Sequence, residues 1–257
     1  MTHLTTSAIV LRRRAYGDFD LILTVLTPEH GVKTLIAKAA KKSTKRFPGI
    51  LEHFDGLRIV CRESRGKGLP ILEEASLEKN FGVVRSDVVK TAYASYWSEL
   101  VVMWLEAEEP RRDIYDLLTF VLEALSNDAA PAALLSLLFQ MRFIGREGLR
   151  PVLERCTCCR TEVEQLPQNQ FCIDLRQGGI VCNQCPGTDA RQLRLGKGTL
   201  KQLMWMAKGN MEKALRVRFA AHSMEEATQF LEAFVPFHIG RSPKSLGFLR
   251  QIRSSHA

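Results

Sequence analysis

Asp20-Leu-Ile-Leu-Thr-Val-Leu26, then Pro28-Glu-His-Gly31, then Val32-Lys-Thr-Leu-Ile-Ala37: these residues decide the fold. Two β-branched apolar runs flank a turn rich in Pro and Gly, which is the pattern of paired strands. Working outward, Ser7-Ala-Ile-Val-Leu11 precedes them, and Leu57-Arg-Ile-Val-Cys61 and Leu69-Pro-Ile-Leu72 follow. The last two are separated by the turn-forming Ser64-Arg-Gly-Lys-Gly68. Short strands with Gly-containing turns across residues 7–80 predict a small barrel or sandwich.

Beyond Phe81 the apolar period changes from strand-like to helical. Ser86–Ala107 places Val89, Tyr93, Tyr96, Trp97, Leu100, Val101 and Trp104 near one face. Pro110 breaks the pattern, Ile114–Leu125 resumes it, and Pro131 opens a strongly apolar helix over Ala132–Ile144. Thr199–Ala207 also reads as helical. Ser223-Met-Glu-Glu226 has the capping-box form, which predicts a helix with Ser223 as N-cap and Ala227, Phe230, Leu231, Phe234 and Val235 on one side. The expected class is α+β. A β domain is expected over 1–80 and a helical domain over 81–257, with a cysteine-bearing insertion at 153–188.

The chain has 257 residues, 46% of them hydrophobic, so it can bury a substantial core. Its net charge of +8 favours an anionic partner, and nucleic acid is the commonest. The charge is uneven: +5 over residues 1–80, −5 over 81–190 and +8 over 191–257. The first residues are polar and lack a basic secretory region, and no apolar run approaches the ~18 residues that span a bilayer. A cytoplasmic protein with no membrane partner is expected.

Of seven cysteines, six fall between Cys156 and Cys185. Clustering of this kind in a cytoplasmic chain reads as metal binding, not as a disulfide framework. Cys156-Thr-Cys-Cys159 and Cys182-Asn-Gln-Cys185 are two C-x-x-C units. Each such turn sets two thiolates on one side of a metal about 2.3 Å away, and two turns complete a tetrahedron. Gly178-Gly179 supplies a tight turn before the second pair. Four thiolates close the coordination sphere, so the expected ion is a structural Zn2+. Free or redox-active cysteines are the competing reading, and Cys158 is an alternative ligand to Cys156 or Cys159. Cys61 and Cys172 read as buried small hydrophobes.

From Gly31 to Leu51 the sequence holds Lys33, Lys38, Lys41, Lys42, Lys45 and Arg46 and no acidic residue. The Lys38–Arg46 part lacks periodicity and reads as a loop following a strand. A basic loop beside a small barrel suits phosphate binding, with salt-sensitive affinity as its signature. Arg12, Arg13 and Arg14 extend this surface, although strand alternation must send at least one of them to the opposite face. A basic loop kept only for solubility fits the same charges. No phosphate-binding glycine loop, zinc-protease motif or nucleophile elbow is present. The six histidines are scattered, the carboxylate pairs Glu73-Glu74 and Glu108-Glu109 read as solvated, and no catalytic residue is assigned.

The order of these features resembles the RecO family. Ala8-Ile-Val-Leu11, Tyr16-Gly-Asp18 and Thr24-Val-Leu-Thr27 leading to Gly31 are similar to its opening strands. Lys38-Ala-Ala-Lys-Lys42 with Arg46-Phe47 and Leu51 is similar to its basic segment. Cys156/Cys159, Phe171, Gly178-Gly179 and Cys182/Cys185 resemble its zinc element, and His238-Ile-Gly-Arg241 with Lys244-Ser245 and Phe248-Leu249 its ending. Many members carry Gly directly after the first C-x-x-C, where this chain has Arg160, and Cys158 and Cys172 are additional. The resemblance implies an N-terminal OB-fold barrel followed by a helical domain carrying a four-cysteine zinc element. It also implies a DNA-binding recombination mediator, not an enzyme. Such a protein binds single- and double-stranded DNA and anneals complementary strands. It engages the acidic C-terminal tail of single-stranded-DNA-binding protein and works with RecR to load RecA. The basic region containing Arg191, Arg194, Lys197, Lys201, Arg216 and Arg218 is a candidate for that tail, with Arg194, Lys201, Arg216 and Arg218 as its contacts. A zinc-containing nuclease and an RNA-binding module are the alternatives.

Overall fold

The computed structural model describes residues 3–43, 45–64, 68–185 and 193–255. The middle of the expected 64–68 turn, the end of the 153–188 insertion and Arg191 lie outside the described residues.

Strands β1 (His3–Tyr16), β2 (Asp20–Thr27), β3 (Gly31–Ala37), β4 (Gly56–Arg62) and β5 (Ile71–Lys79) close into a barrel in the order β1-β2-β3-β5-β4. Alternation sends Ala8, Val10, Leu21, Leu23, Val25, Leu35, Ala37, Leu57, Ile59 and Leu72 into one apolar cluster. Phe47 and Leu51, from the connection before β4, join it. The strand β1 does two jobs. Its first half pairs with β4 and its second with β2, with a register shift between Val10 and Arg12 where it turns the corner. The circle closes between β3 and β5 through the parallel pair Ile36↔Ile71, with Ile36 N donating to Pro70 O at 2.9 Å. This strand order is that of an OB-fold.

Two strands run longer than their sequence suggests. The second half of β1 is exposed and arginine-rich, and β5 continues through Glu73 and Glu74 to Lys79. Neither stretch carries a continuous apolar face. Ladder pairing with β2 and β4 extends them.

Helices α1 (Gly82–Ser86), α2 (Val88–Trp104) and α3 (Arg112–Ser126) follow. They belong to the same compact unit as the barrel, Met1–Asn127 together with Gly247–Ala257. The carboxylate of Asp87 caps α2, accepting from Val89 N at 2.8 Å and Lys90 N at 3.0 Å. Tyr93, Tyr96, Trp97, Leu100 and Val101 are buried along α2, and Trp104 is half-buried. Asp55 is buried, and the Arg85 guanidinium donates to it at 2.5 Å, tying the approach to β4 to α1.

The second unit, Asp128–Leu246, contains α4 (Ala132–Arg146) and a small sheet. Its strands β6 (Gln170–Asp174), β7 (Gly179–Val181) and β8 (Arg194–Gly196) lie in the order β7-β6-β8. Then come α5 (Lys197–Ala207), α6 (Met211–Ala214) and α7 (Ala221–Ile239), and the division between the units falls within α8 (Lys244–Ser255). α4, α5 and α7 pack on one another through Leu134, Phe139, Phe143, Leu200, Leu203, Phe230 and Phe234.

The capping-box reading of Ser223 and Glu226 is corrected. α7 begins at Ala221, so Ser223 sits inside its first turn. Glu226 serves a different helix. Its carboxylate accepts from Gly196 N at 3.0 Å and from Thr199 Oγ1 at 2.5 Å, at the start of α5. A carboxylate supplied across the bundle thus takes one backbone N–H and one hydroxyl there, beside the positive end of the helix dipole.

Candidate metal centre and nucleic-acid interface

The metal candidate is built on two backbone turns held by a hairpin. Cys156 N donates to Thr161 O at 2.9 Å and Arg160 N to Cys156 O at 3.0 Å, closing the first C-x-x-C turn. Arg160 completes it in the left-handed region, with φ 65°. The hairpin β6–β7 turns through Gly178, where Asp174 accepts from Arg176 N and Gln177 N at 2.9 and 3.0 Å. Gly179 sits flat against Val152, and an added Cβ would lie 2.3 Å from the Val152 carbonyl oxygen. Val152 N donates to Gly178 O and Ile180 N to Val152 O, so the hairpin is stitched to the segment that leads into Cys156.

The thiol sulfurs of Cys156, Cys159, Cys182 and Cys185 therefore lie within 4.8 Å of one another. Cys156 Sγ is 3.9 Å from Cys185 Sγ, and Cys159 Sγ is 3.8 Å from Cys182 Sγ. A tetrahedron with arms of about 2.3 Å has edges of about 3.8 Å, so the donor set fits a tetrahedral thiolate-bound ion. The electrostatics agree. Burial pushes the Cys156 thiol up, but backbone N–H groups of Cys182, Cys159 and Cys158 outweigh it and lower its pKa. The Thr161 hydroxyl brings Cys159 down to about 6, while the Cys182 thiol drives Cys185 upward. Four crowded sulfurs cannot all ionise unaided, and a divalent cation removes the conflict. Cys158 is exposed and directs its sulfur to Gln177 Oε1 at 3.2 Å, outside the group of four. Cys61 is buried in the barrel, and burial pushes its thiol up to about 12. Cys172 is half-buried in β6, less enclosed than expected.

In the barrel unit, Lys38, Lys41, Lys42, Lys45 and Arg46 are all exposed in the connection after β3, which includes a 3₁₀ turn over Ala40–Lys42. This connection is fastened to the tip of the β1–β2 hairpin. Lys41 N donates to Phe19 O at 2.9 Å, Lys41 Nζ to Gly17 O at 2.9 Å, and Ala39 N to Asp20 Oδ1 at 2.7 Å. The Lys42 ammonium lies 3.4 Å from the centroid of the Phe19 ring. Arg46 donates to Lys38 O and lies over the ring of Phe47.

Two aromatic side chains to which the sequence assigns no binding role join this surface. Tyr16 is 53% exposed and Phe19 43%. Their signal was an aromatic on each side of the Gly17-Asp18 turn, too short a pattern to separate from core. Arg12 and Arg14 are exposed on the same hairpin, Arg12 4.0 Å from Glu99, whereas Arg13 pairs with Glu52 at 3.4 Å.

Lys33 does not belong to the strip. It shares a strand face with Leu35 and Ala37, so alternation turns it inward at the barrel end. It is 8% exposed, with Nζ 3.1 Å from Glu108 Oε1 and 3.4 Å from Glu63 Oε1. Burial works to lower its pKa, but the Glu108 hydrogen bond and the two carboxylate charges raise it overall. Glu108, expected to be merely solvated, is the partner that makes this burial tolerable.

The four residues expected to receive an acidic tail all lie in the second unit. Lys201 pairs with Glu164 at 3.0 Å. Arg194 lies in β8, and Arg218 accepts at its carbonyl from Gln202 Nε2 at 2.7 Å. Arg216 lines a cavity together with Trp205, Lys213 and Val217.

Comparison with known proteins places these features in a lineage. A family model described as Recombination protein O N terminal matches residues 1–81, and one described as Recombination protein O C terminal matches residues 85–247. The chain is 42% identical to a DNA repair protein RecO of Desulfosudis oleivorans over 258 residues, covering 98% of this chain and 99% of the other. It is 40% identical to the DNA repair protein RecO of Desulfatibacillum aliphaticivorans, covering all of both chains. The protein of that name from Bacillus pumilus is 27% identical over 98% of this chain and 95% of its own.

Proposed function

This chain belongs to the RecO family of DNA repair and recombination proteins, and from that premise we propose that it is a non-enzymatic strand-annealing mediator. It binds single- and double-stranded DNA, brings complementary strands together, and helps RecR load RecA on DNA coated with single-stranded-DNA-binding protein. It acts in the cytoplasm, where a bacterial chromosome lies. Among the described residues no helix is long and apolar enough to cross a membrane.

The observation that carries this reading is the cationic loop braced against an exposed aromatic hairpin tip. Lys38, Lys41, Lys42, Lys45 and Arg46 supply charge for the phosphates, and Tyr16 and Phe19 supply faces on which bases stack. Arg12 and Arg14 lengthen the same surface. Annealing requires two polyanions to be held near one another, and neutralised phosphates lower their repulsion.

The metal in this reading is Zn2+, held by Cys156, Cys159, Cys182 and Cys185. Bound there it has a full set of four thiolates and supplies folding free energy, not a reactive water. The chain's own residues shape the site: Arg160 and Gly179 set the turns, and backbone N–H groups point at the sulfurs.

The test is a salt titration of single-stranded DNA binding with Lys38, Lys41, Lys42 and Lys45 all changed to Ala. Affinity should fall, and the slope of log K against log salt should flatten by up to about 3, near 0.7 per lost contact. An unchanged slope would remove the strip from the interface. Added Mg²⁺ with intact DNA recovered separates this reading from a nuclease, and competition by RNA separates it from an RNA-binding module.

A further inference from the structure

We infer that the zinc-carrying unit holds a second contact for single-stranded nucleic acid, in the cavity lined by Trp205, Lys213, Arg216 and Val217; the inference rests on the DNA-binding reading above. Leu200, Leu203 and Met206 of α5 are fully buried, whereas Trp205 is 48% exposed. Its indole forms one wall of a cavity of about 370 Å³. Lys213 and Arg216 form the facing wall. Both are exposed and neither has a carboxylate partner among the described residues.

That wall is built, not draped. Asn210 Oδ1 accepts from Glu212 N at 2.6 Å and Lys213 N at 3.2 Å. Arg216 N donates to Lys213 O at 3.1 Å and Val217 N to Ala214 O at 3.3 Å. Gln202, about one turn before Trp205 on α5, reaches Arg218 O at 2.7 Å and fastens the two walls together.

The chemistry selects the occupant. An exposed π-face flanked by two cations takes a base on the ring and its phosphates on the ammonium and guanidinium. The volume lies at the small end of ligand cavities, the size for one ring system and not for a folded partner. Trp205 and Val217 give the lining its apolar surface, and Lys213 and Arg216 give it charge. The stretch of sequence that contains these residues, 191–257, carries a net charge of +8. A chain with one such contact in each unit has the parts to hold two strands.

The test uses the full-length, metal-loaded chain and an oligothymidine of about 15 nucleotides, a length near the upper end of the site sizes of single-strand binders. The background is the variant with Lys38, Lys41, Lys42 and Lys45 changed to Ala. Residual binding should persist there and quench tryptophan emission. Adding Trp205→Ala should weaken that residual binding roughly 5- to 100-fold. Trp205→Phe should keep the affinity and lose most of the quench, because Trp97 is fully buried and Trp104 half-buried. Lys213→Glu with Arg216→Glu should abolish it. If all binding vanishes with the barrel lysines, the second contact is wrong and the barrel reading stands. If the wild-type chain binds no oligonucleotide, both fail. If an acidic peptide ending in Phe shifts the Trp205 emission while the oligonucleotide does not, the cavity is a protein-tail site and the inference is overturned.

Discussion

At Arg160 the backbone takes φ 65°, a region that costs a side-chain-bearing residue about 1–2 kcal/mol. Arg160→Gly should raise the thermal midpoint by roughly 2–4 °C, the relief exceeding the added chain entropy of Gly by about 1 kcal/mol. A melting curve that does not move would place the strain elsewhere. Cys158 tests the ligand register. Cys158→Ser should keep one metal ion per chain by elemental analysis, while Cys182→Ser, removing a buried sulfur, should lose it. In the metal-loaded protein a thiol reagent should reach Cys158 first and leave Cys61 untouched, because burial holds that thiol at about 12. The cluster of four sulfurs was readable from spacing, because a C-x-x-C turn is a local code. Lys33 was not, because its neighbours in the basic strip are exposed while its partners, Glu63 and Glu108, are remote in sequence.

The β6–β7 hairpin shows the same division at the scale of elements. Its turn was visible in Gly178-Gly179, but the two glycines do different work. Gly178 has φ 70° and open space for a Cβ, whereas Gly179 is pressed on Val152. Gly179→Ala must push Val152 away and break two backbone hydrogen bonds. It should cost about 2–3 kcal/mol and make the metal far easier to strip with a chelator. Retention of the metal at wild-type chelator concentrations would show that the hairpin does not position Cys182. The barrel strands were legible wherever apolar alternation marked a buried face. The outer half of β1 carries no such face: Arg12-Arg13-Arg14 is held in the sheet by its pairing with β2. The start of α7 was misread for a related reason: a motif of four residues describes a cap, but Glu226 answers to α5, and only the assembled bundle reveals that.

Across the whole molecule, two histidines set a pH dependence. Burial lowers the pKa of His53 in the barrel unit and of His238 in the helical unit. Each contributes stability that is present above the ordinary His value of about 6.5 and is lost as pH falls through the lower folded value, because the unfolded chain takes up protons first. The thermal midpoint should drop between about pH 7 and pH 5, and less so in the His53→Gln/His238→Gln variant. An identical drop in that variant would assign the effect to other groups. The barrel has one more consequence, in time. Its first three strands are neighbours in sequence, but β1 also needs β4, and β3 meets β5 through Ile36 and Ile71. On a ribosome adding about 5–20 residues per second, Leu72 follows Ala37 by roughly 2–7 s. For that interval the nascent meander carries Val10, Leu23, Val25 and Leu35 on an uncovered face. Synthesis therefore presents an unfinished sheet, and a chaperone that shields it should raise the yield of folded chain more than any change to the cysteine site.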